Sequence, residues 1–242
     1  MIKTENLDSI KENNLSQRGL VPLDTSKKEF EMLISLYKLA NEDILEKINI
    51  IKDYLKLTFE YDVINHVKSR IKTPTSIINK MKMKKYNLTY ENLIENINDI
   101  AGIRIICTFK SDIEKVLKII RKIPNTRIIN EKDYILHPKK SGYSGYHIIL
   151  EDFIKYEEEY IPVKVEIQLR TMAMDFWSEA EHKVKYKPKS KVSAKDSKKL
   201  EWYAKIINII DDKITKINLK QINKKDWAKL LTSLFFYYII YT

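Results

Sequence analysis

Apolar and polar side chains alternate with period two over Val163-Lys164-Val165-Glu166-Ile167-Gln168-Leu169-Arg170, the pattern of a strand whose two faces meet different surroundings. Val163, Val165, Ile167 and Leu169 are expected in the core, and Lys164, Glu166, Gln168 and Arg170 on an opposite, groove-lining face. A carboxylate and an amide flanked by two cations suggest a site, although a plain surface strand shows the same alternation. The stretch runs into Thr171-Met172-Ala173-Met174-Asp175-Phe176-Trp177, where Phe176 and Trp177 are expected in the core.

Elsewhere the pattern changes period. From Ser26 to about Phe59, apolar residues such as Phe30, Tyr37, Ile44, Ile48, Ile51 and Leu55 recur at helical spacing, which predicts one long or two shorter amphipathic helices. Thr73 can cap and Pro74 suits a first helical position, so a helix is expected from there to about Lys85. Ser76, Lys80 and Lys84 then share a face. With Arg70 and Lys72 just ahead, this helix start could cradle a polyphosphate. A solvated lysine-rich helix would have the same sequence, and no glycine-rich segment makes it a Walker loop.

Asp99 to Phe109 is a nearly continuous apolar run, as expected of a central strand covered on both faces. Arg104 lies inside it, where an unpaired charge is costly. Residues 112–122 read as a crossing helix, and short strands are expected near 126–130, 133–136, 146–151 and 161–170. A basic, proline-bearing loop follows Lys183, then a helix through Leu200, Tyr203, Ile206, Ile207, Ile210 and Ile214, and an apolar terminal segment from Trp227 to Tyr241. These elements describe an α+β, or mixed α/β, fold with a central mixed sheet of about five strands flanked by helices. The expected organisation is a loose leader over 1–26, a helical scaffold over 27–59, a core over 60–186 and C-terminal helices for self-association over 187–242.

Composition narrows the classes. At 242 residues and 44% apolar, the chain can bury a sizeable core. One cysteine, Cys107, excludes an internal disulfide and a cysteine-rich zinc site. Without an apolar leader or a stretch of 18 apolar residues, a soluble, cytoplasmic protein with no membrane association is expected. A net charge of +11 favours anionic partners without choosing among them.

The loop Lys139-Lys140-Ser141-Gly142-Tyr143-Ser144-Gly145-Tyr146-His147 combines cations, aromatic rings and glycines, a set able to hold phosphates and stack a base. Together with Asp99-Ile100-Ala101-Gly102-Ile103-Arg104 and Val165-Glu166-Ile167-Gln168-Leu169-Arg170-Thr171, its order and spacing resemble the RelA/SpoT-type (p)ppGpp synthetase family, in its small single-domain form. The resemblance implies a nucleotidyltransferase-like fold and Mg²⁺-dependent transfer of the ATP β,γ-pyrophosphate to the 3′-hydroxyl of GTP, GDP or GMP, with release of AMP. It implies Arg70 and Arg104 around adenine, and Lys72, Ser76 and Lys80 on the ATP phosphates. It places Asp99 and Glu166 on Mg²⁺ as the catalytic carboxylates, and Lys139, Tyr143, His147, Gln168 and Asp175 at the acceptor guanine nucleotide. It also implies a homotetramer.

Two carboxylates suit a hard cation that bridges phosphates, and pyrophosphoryl transfer depends mainly on positioning and charge neutralisation. Met83 stands where relatives carry arginine, and Ser144-Gly145 follow Tyr143 where relatives have Arg-Ser. The lost cation predicts weaker dependence on the acceptor's terminal phosphates. No His-Asp dipeptide occurs, so the hydrolase of longer relatives is not expected. The competing function is a non-catalytic guanine-nucleotide or single-stranded RNA-binding module on the same fold. Glu181 and His182 are expected to be structural, His66 and His137 inert, and Tyr146 a packing residue.

Overall fold

The structure is a computed structural model, and it describes residues 21–156, 158–185 and 192–221. The expected leader and apolar terminal segment lie largely outside them. The scaffold is one helix, α1 (Lys28–Phe59), whose buried Tyr37, Ala40, Ile44, Ile48, Ile51 and Leu55 form a single stripe at three- and four-residue spacing. It stops at Glu60, whose left-handed conformation (φ 61°) lets its amide donate to the Lys56 carbonyl. The chain continues through β1 (Ile64–Ile71), α2 (Pro74–Met83), α3 (Tyr90–Asn96), β2 (Ala101–Cys107), α4 (Lys110–Ile120) and β3 (Thr126–Asp133). It ends with β4 (Tyr146–Tyr156), β5 (Glu159–Thr171), α5 (Met172–Lys185) and α6 (Ala194–Gln221).

The five strands form one sheet in the order β1-β2-β5-β4-β3. Only β2 and β5 run parallel, so the sheet is mixed and the fold is α+β. Helix α1 crosses β1, β2, β4 and β5, with α4 beside it. Between these helices and the sheet lies the core, built from Ile103, Ile105, Ile148, Leu150, Val165, Ile167 and Leu169 of the inward-facing strand positions. Cys107 is among them, and burial pushes its thiol well above the ordinary range.

Five strands were expected, yet not these five. Strand β1 escapes the pattern because its register shifts between Ile64 and His66, and a bulge breaks period-two alternation. The two short strands expected at 126–130 and 133–136 are one strand that stops at Asp133. The Asp133 carboxylate there accepts the amides of Ile135 and Leu136, each at 2.8 Å, a local turn that replaces the ladder. Strand β2 is not covered on both faces: Ala101, Ile103, Ile105 and Cys107 are buried, whereas Gly102 and Arg104 face the open side.

Two polar clusters sit in the packed interior. Lys115 and Asp112, both essentially inaccessible, pair at 2.8 Å, and the Tyr61 hydroxyl donates to the same carboxylate oxygen at 2.6 Å. The other Asp112 oxygen accepts the Phe109 amide at 3.1 Å and caps α4. A buried charge is tolerable when paired this fully. The second cluster is incomplete. Asp152 of β4 lies buried under α1, where Lys47 sits 2.5 Å from Asp43 and 3.5 Å from Asp152. Its Oδ2 has no hydrogen-bond partner. Burial and the neighbouring Asp43 carboxyl push the Asp152 pKa up to about 7, against the pull of Lys47.

An acid whose folded pKa is raised stabilises the fold fully below its unfolded pKa, near 3.9, and loses that contribution as pH rises through the folded value. The native protein therefore loses this contribution between about pH 4 and 7. Asp152→Asn, which mimics the protonated acid, is expected to raise the melting temperature at pH 8 by a few degrees, about 1 kcal/mol, and to raise it by less at pH 5. Thermal unfolding at the two pH values checks this, and an equal shift at both contradicts it.

Candidate functional site

The open face of the sheet carries the charge, and strand register arranges it in rows. Lys68, Arg104, Gln168 and His147 occupy opposed positions on β1, β2, β5 and β4. In the next row Arg70 opposes Gly102, and Gly102 opposes Glu166. Directly opposed side chains on one face lie about 5 Å apart at Cβ, so each row is a set of neighbours. Gly102 leaves room that Arg70 fills: a Cβ at Gly102 would sit 3.9 Å from the Arg70 Cγ and Nε atoms.

One end of the face is built by the β1–α2 connection. The Lys72 amide donates to the Ile100 carbonyl at 2.8 Å, which ties the segment after β1 to the start of β2. Thr73 caps α2, accepting the Ser76 amide, and Pro74 begins the helix, as expected. Lys80, two turns into α2, and Lys72 both reach Asp99: Lys80 Nζ lies 2.8 Å from Oδ1 and Lys72 Nζ 2.7 Å from Oδ2. Burial pushes the Asp99 carboxyl up, but the two ammonium groups outweigh it and hold it below the ordinary carboxylate range. Ser76 is exposed, with its hydroxyl accepting from Thr73 at 2.8 Å. Met83, where a further cation was missed, points into solvent.

The other end is a closed ring of hydrogen bonds. Tyr143 Oη lies 2.6 Å from His147 Nε2, and His147 Nδ1 lies 3.0 Å from Glu166 Oε1. Gln168 donates to Glu166 Oε2 at 2.9 Å. Arg170 donates to Gln168 Oε1 at 2.9 Å and back to Tyr143 Oη at 3.0 Å. Burial pushes the Tyr143 phenol up, so it stays protonated at neutral pH. Tyr143 Oη accepts from Arg170, and the Glu166 carboxylate accepts from His147 Nδ1. Burial pushes Glu166 up, but the bonds from His147 and Gln168 prevail and keep it ionised, while the charge on Asp99 opposes them. The two carboxylates therefore feel one another. Their oxygens are all covered by donors or ammonium groups.

Between the ends stands Asp175, buried in the first turn of α5. Its Oδ1 accepts from Arg104 at 3.0 Å and Arg170 at 3.1 Å, and Lys68 Nζ lies 3.5 Å from Oδ2. Arg104 also donates to Glu179 at 2.7 Å. Asp175, expected at the acceptor base, thus meets an arginine expected at adenine. Lys139 Nζ lies over the rings of Tyr134 and Tyr143, 4.5 and 4.8 Å from their centroids. The Arg170 guanidinium lies 5.0 Å from the Tyr143 centroid. The Tyr143 ring is accordingly buried, and a base can stack on it only after Lys139 or the loop moves.

Lys68, Glu179 and the linking position of Arg170 were not foreseen. Lys68, Arg70 and Lys72 do alternate, a signal masked by the bulge that hid β1. Glu179 is one helical turn beyond Asp175, and that spacing could have named it. Two aromatic expectations divide. Trp177 is buried, in a small cluster with Tyr143 and Ala204 apart from the main core, whereas Phe176 is 67% exposed, because its α5 position turns away from both.

Comparison with known proteins agrees with this geometry. Residues 69–191 match the family described as a region found in RelA and SpoT proteins, and the chain belongs to that family. It is 37% identical over 201 residues to the GTP pyrophosphokinase YwaC of Bacillus subtilis strain 168, a match covering 83% of this chain and 96% of the relative. The crystal structure of Bacillus subtilis small alarmone synthetase 1 bound to its product pppGpp superposes with a TM-score of 0.73 at 29% identity. That match covers 80% of this chain and 98% of the other. The same synthetase bound to AMPCPP gives a TM-score of 0.66 at 27% identity, with the same coverage.

Helix α6 packs on the loop before β4 at Gly142. There φ is +87°, and an added Cβ would lie 2.4 Å from the Ala204 Cβ. Gly142→Ala is expected to cost about 1–3 kcal/mol through backbone strain and overpacking. Adding Ala204→Gly should recover only the packing part, and thermal unfolding of both variants checks the partition.

Proposed function

We propose that the protein is a GTP pyrophosphokinase that makes (p)ppGpp-type alarmones. The 3′-hydroxyl of a guanine nucleotide loses its proton to solvent as its oxygen attacks the β-phosphorus of ATP, the bond from that phosphorus to the oxygen bridging it to the α-phosphate breaks, and AMP leaves with that oxygen. The observation that carries this reading is the pair formed by Asp99, just ahead of β2, and Glu166 on the neighbouring parallel strand β5. Lys72 and Lys80 rest on one carboxylate, and an ordered His147–Tyr143–Arg170–Gln168 ring holds the other.

At the donor end, Lys72 and Lys80 exchange the Asp99 carboxylate for the ATP phosphates, Ser76 adds a hydroxyl, and Arg70 and Arg104 flank the adenine. The exchange trades one anion for a more highly charged one, so the lysines are never left unpaired. At the acceptor end, Tyr143 stacks on guanine, and Lys139, His147 and Gln168 position the nucleotide, with Asp175 at the base edge once a cation releases it. Asp99 and Glu166 are the residues that would hold Mg²⁺. The fit is chemical: both are ionised and both offer hard oxygens. Two carboxylates suit an ion that takes its remaining oxygens from phosphate and water. Bound there, Mg²⁺ would neutralise phosphate charge in the transition state.

Self-association belongs to the same reading. On α6, Trp202, Ile209, Ile210, Ile214 and Ile217 are all about half exposed or more, an apolar face suited to another subunit. None of the described helices is long and apolar enough to cross a membrane.

Incubation with ATP, Mg²⁺ and GTP, GDP or GMP in turn, followed by nucleotide separation, is expected to yield AMP and a 3′-pyrophosphorylated guanine nucleotide. Glu166→Gln should lower product formation by about 100-fold or more. With Ser144-Gly145 in place of a cation, the three acceptors should differ modestly in kcat/KM, within about tenfold. A strong preference for GTP overturns that second expectation. Salt-dependent RNA binding without AMP release overturns the proposed function itself.

A further inference from the structure

The proposed donor site needs Arg104 to stack against a purine, and stacking requires the guanidinium plane to be held still with its faces clear. Both N–H groups of Arg104 Nη1 are occupied: one bonds Asp175 Oδ1 at 3.0 Å and the other Glu179 Oε1 at 2.7 Å. Guanidinium N–H bonds lie in the plane of the group, so two such bonds fix that plane edge-on and leave the π faces free. The two carboxylates are one turn apart on α5 and present the same side to β2. Asp175 is buried, and the oxygen that holds Arg104, Oδ1, is shared with Arg170. Glu179 is half exposed, and Arg104 is the leading cause of its lowered carboxyl pKa.

On the donor reading given above, we propose that Glu179 is a positioning residue for the donor nucleotide: it orients Arg104 for stacking on adenine without itself touching the substrate. The grip costs little to keep, because it is already made before ATP arrives. A merely structural salt bridge between α5 and the sheet predicts something else: loss of the pair would lower thermal stability and impair both nucleotides alike. A competing carboxylate, one that ATP must displace from Arg104, predicts tighter donor binding when it is removed.

The test uses the full chain and Glu179→Gln, with Glu179→Ala as a second variant. Direct binding of a non-hydrolysable ATP analogue is measured by calorimetry, and steady-state kinetics are measured with a saturating guanine acceptor. The expected result is a 3- to 10-fold weaker Kd for the analogue and an equal rise in KM for ATP, larger in Glu179→Ala. Turnover and acceptor KM should stay within twofold, and the melting temperature within about 2 °C. Glu179→Gln keeps one acceptor for Arg104, so it should lie between the native protein and Glu179→Ala. An unchanged or tighter Kd, or a loss spread equally over donor, acceptor and turnover, overturns the inference. If the native chain fails to bind the analogue at all, the donor assignment fails, and that result is distinct from a variant that binds as well as the native chain.

Discussion

The rest of the site depends on the parallel pairing of β2 with β5. That single register sets Gly102 against Glu166 and Arg104 against Gln168, and so puts a bare position beside the carboxylate and a guanidinium beside the amide. Parallel strands require a crossover, and the intervening chain supplies it: α4, β3 and β4 lie between β2 and β5 in sequence. β4 then returns antiparallel to β5 and brings His147 to the same face. A one-residue slip at any of these ladders would turn the charged row into the core. The buried isoleucines and valines on the reverse face make such a slip costly, and hydrophobic packing on one side of the sheet thereby fixes the positions of charges on the other.

Most of those charges are paired with one another. Lys72 and Lys80 share Asp99, Arg104 and Arg170 share Asp175, and the ring from Tyr143 to Arg170 closes on itself. Leaving a buried cation or carboxylate unmatched is expensive, and removing one member of such a set costs more than the set contributes. On the proposed reading, substrate binding on this surface is an exchange of partners rather than the filling of an open hole. The buried Tyr143 and the covering Lys139 put a rearrangement in front of acceptor stacking.

Much of this was legible in the sequence, and what was not has physical causes. Strand β5 could be placed because its alternation is unbroken, and α2 because Thr73 and Pro74 signal its start. The buried face of α1 was likewise readable from its spacing. Strand β1 was hidden by a bulge, and the end of β3 by a side chain that captures two amides, neither of which changes hydrophobicity. Arg104 was noticed as a charge in an apolar run, but its answer lay on α5, across about 70 residues of chain. Residues such as Lys68, Glu179 and Arg170 acquire meaning only through partners brought close by the fold, and no local pattern marks such partners. Phe176 shows the converse: a large ring in an apolar neighbourhood was expected inside, and one step of helical rotation put it outside.

The pairing of two ammonium groups on one carboxylate has a consequence for which anions can enter. A lone inorganic phosphate that takes one lysine leaves the other still seated on Asp99 and gains little by displacing it. A chain of phosphates can engage both at once, so the second displacement is intramolecular and no longer opposed by dilution. If Lys72 and Lys80 take the donor phosphates as proposed, the resting ion pairs work as a chelate filter, indifferent to simple salts and responsive to extended polyanions, before any base has been recognised.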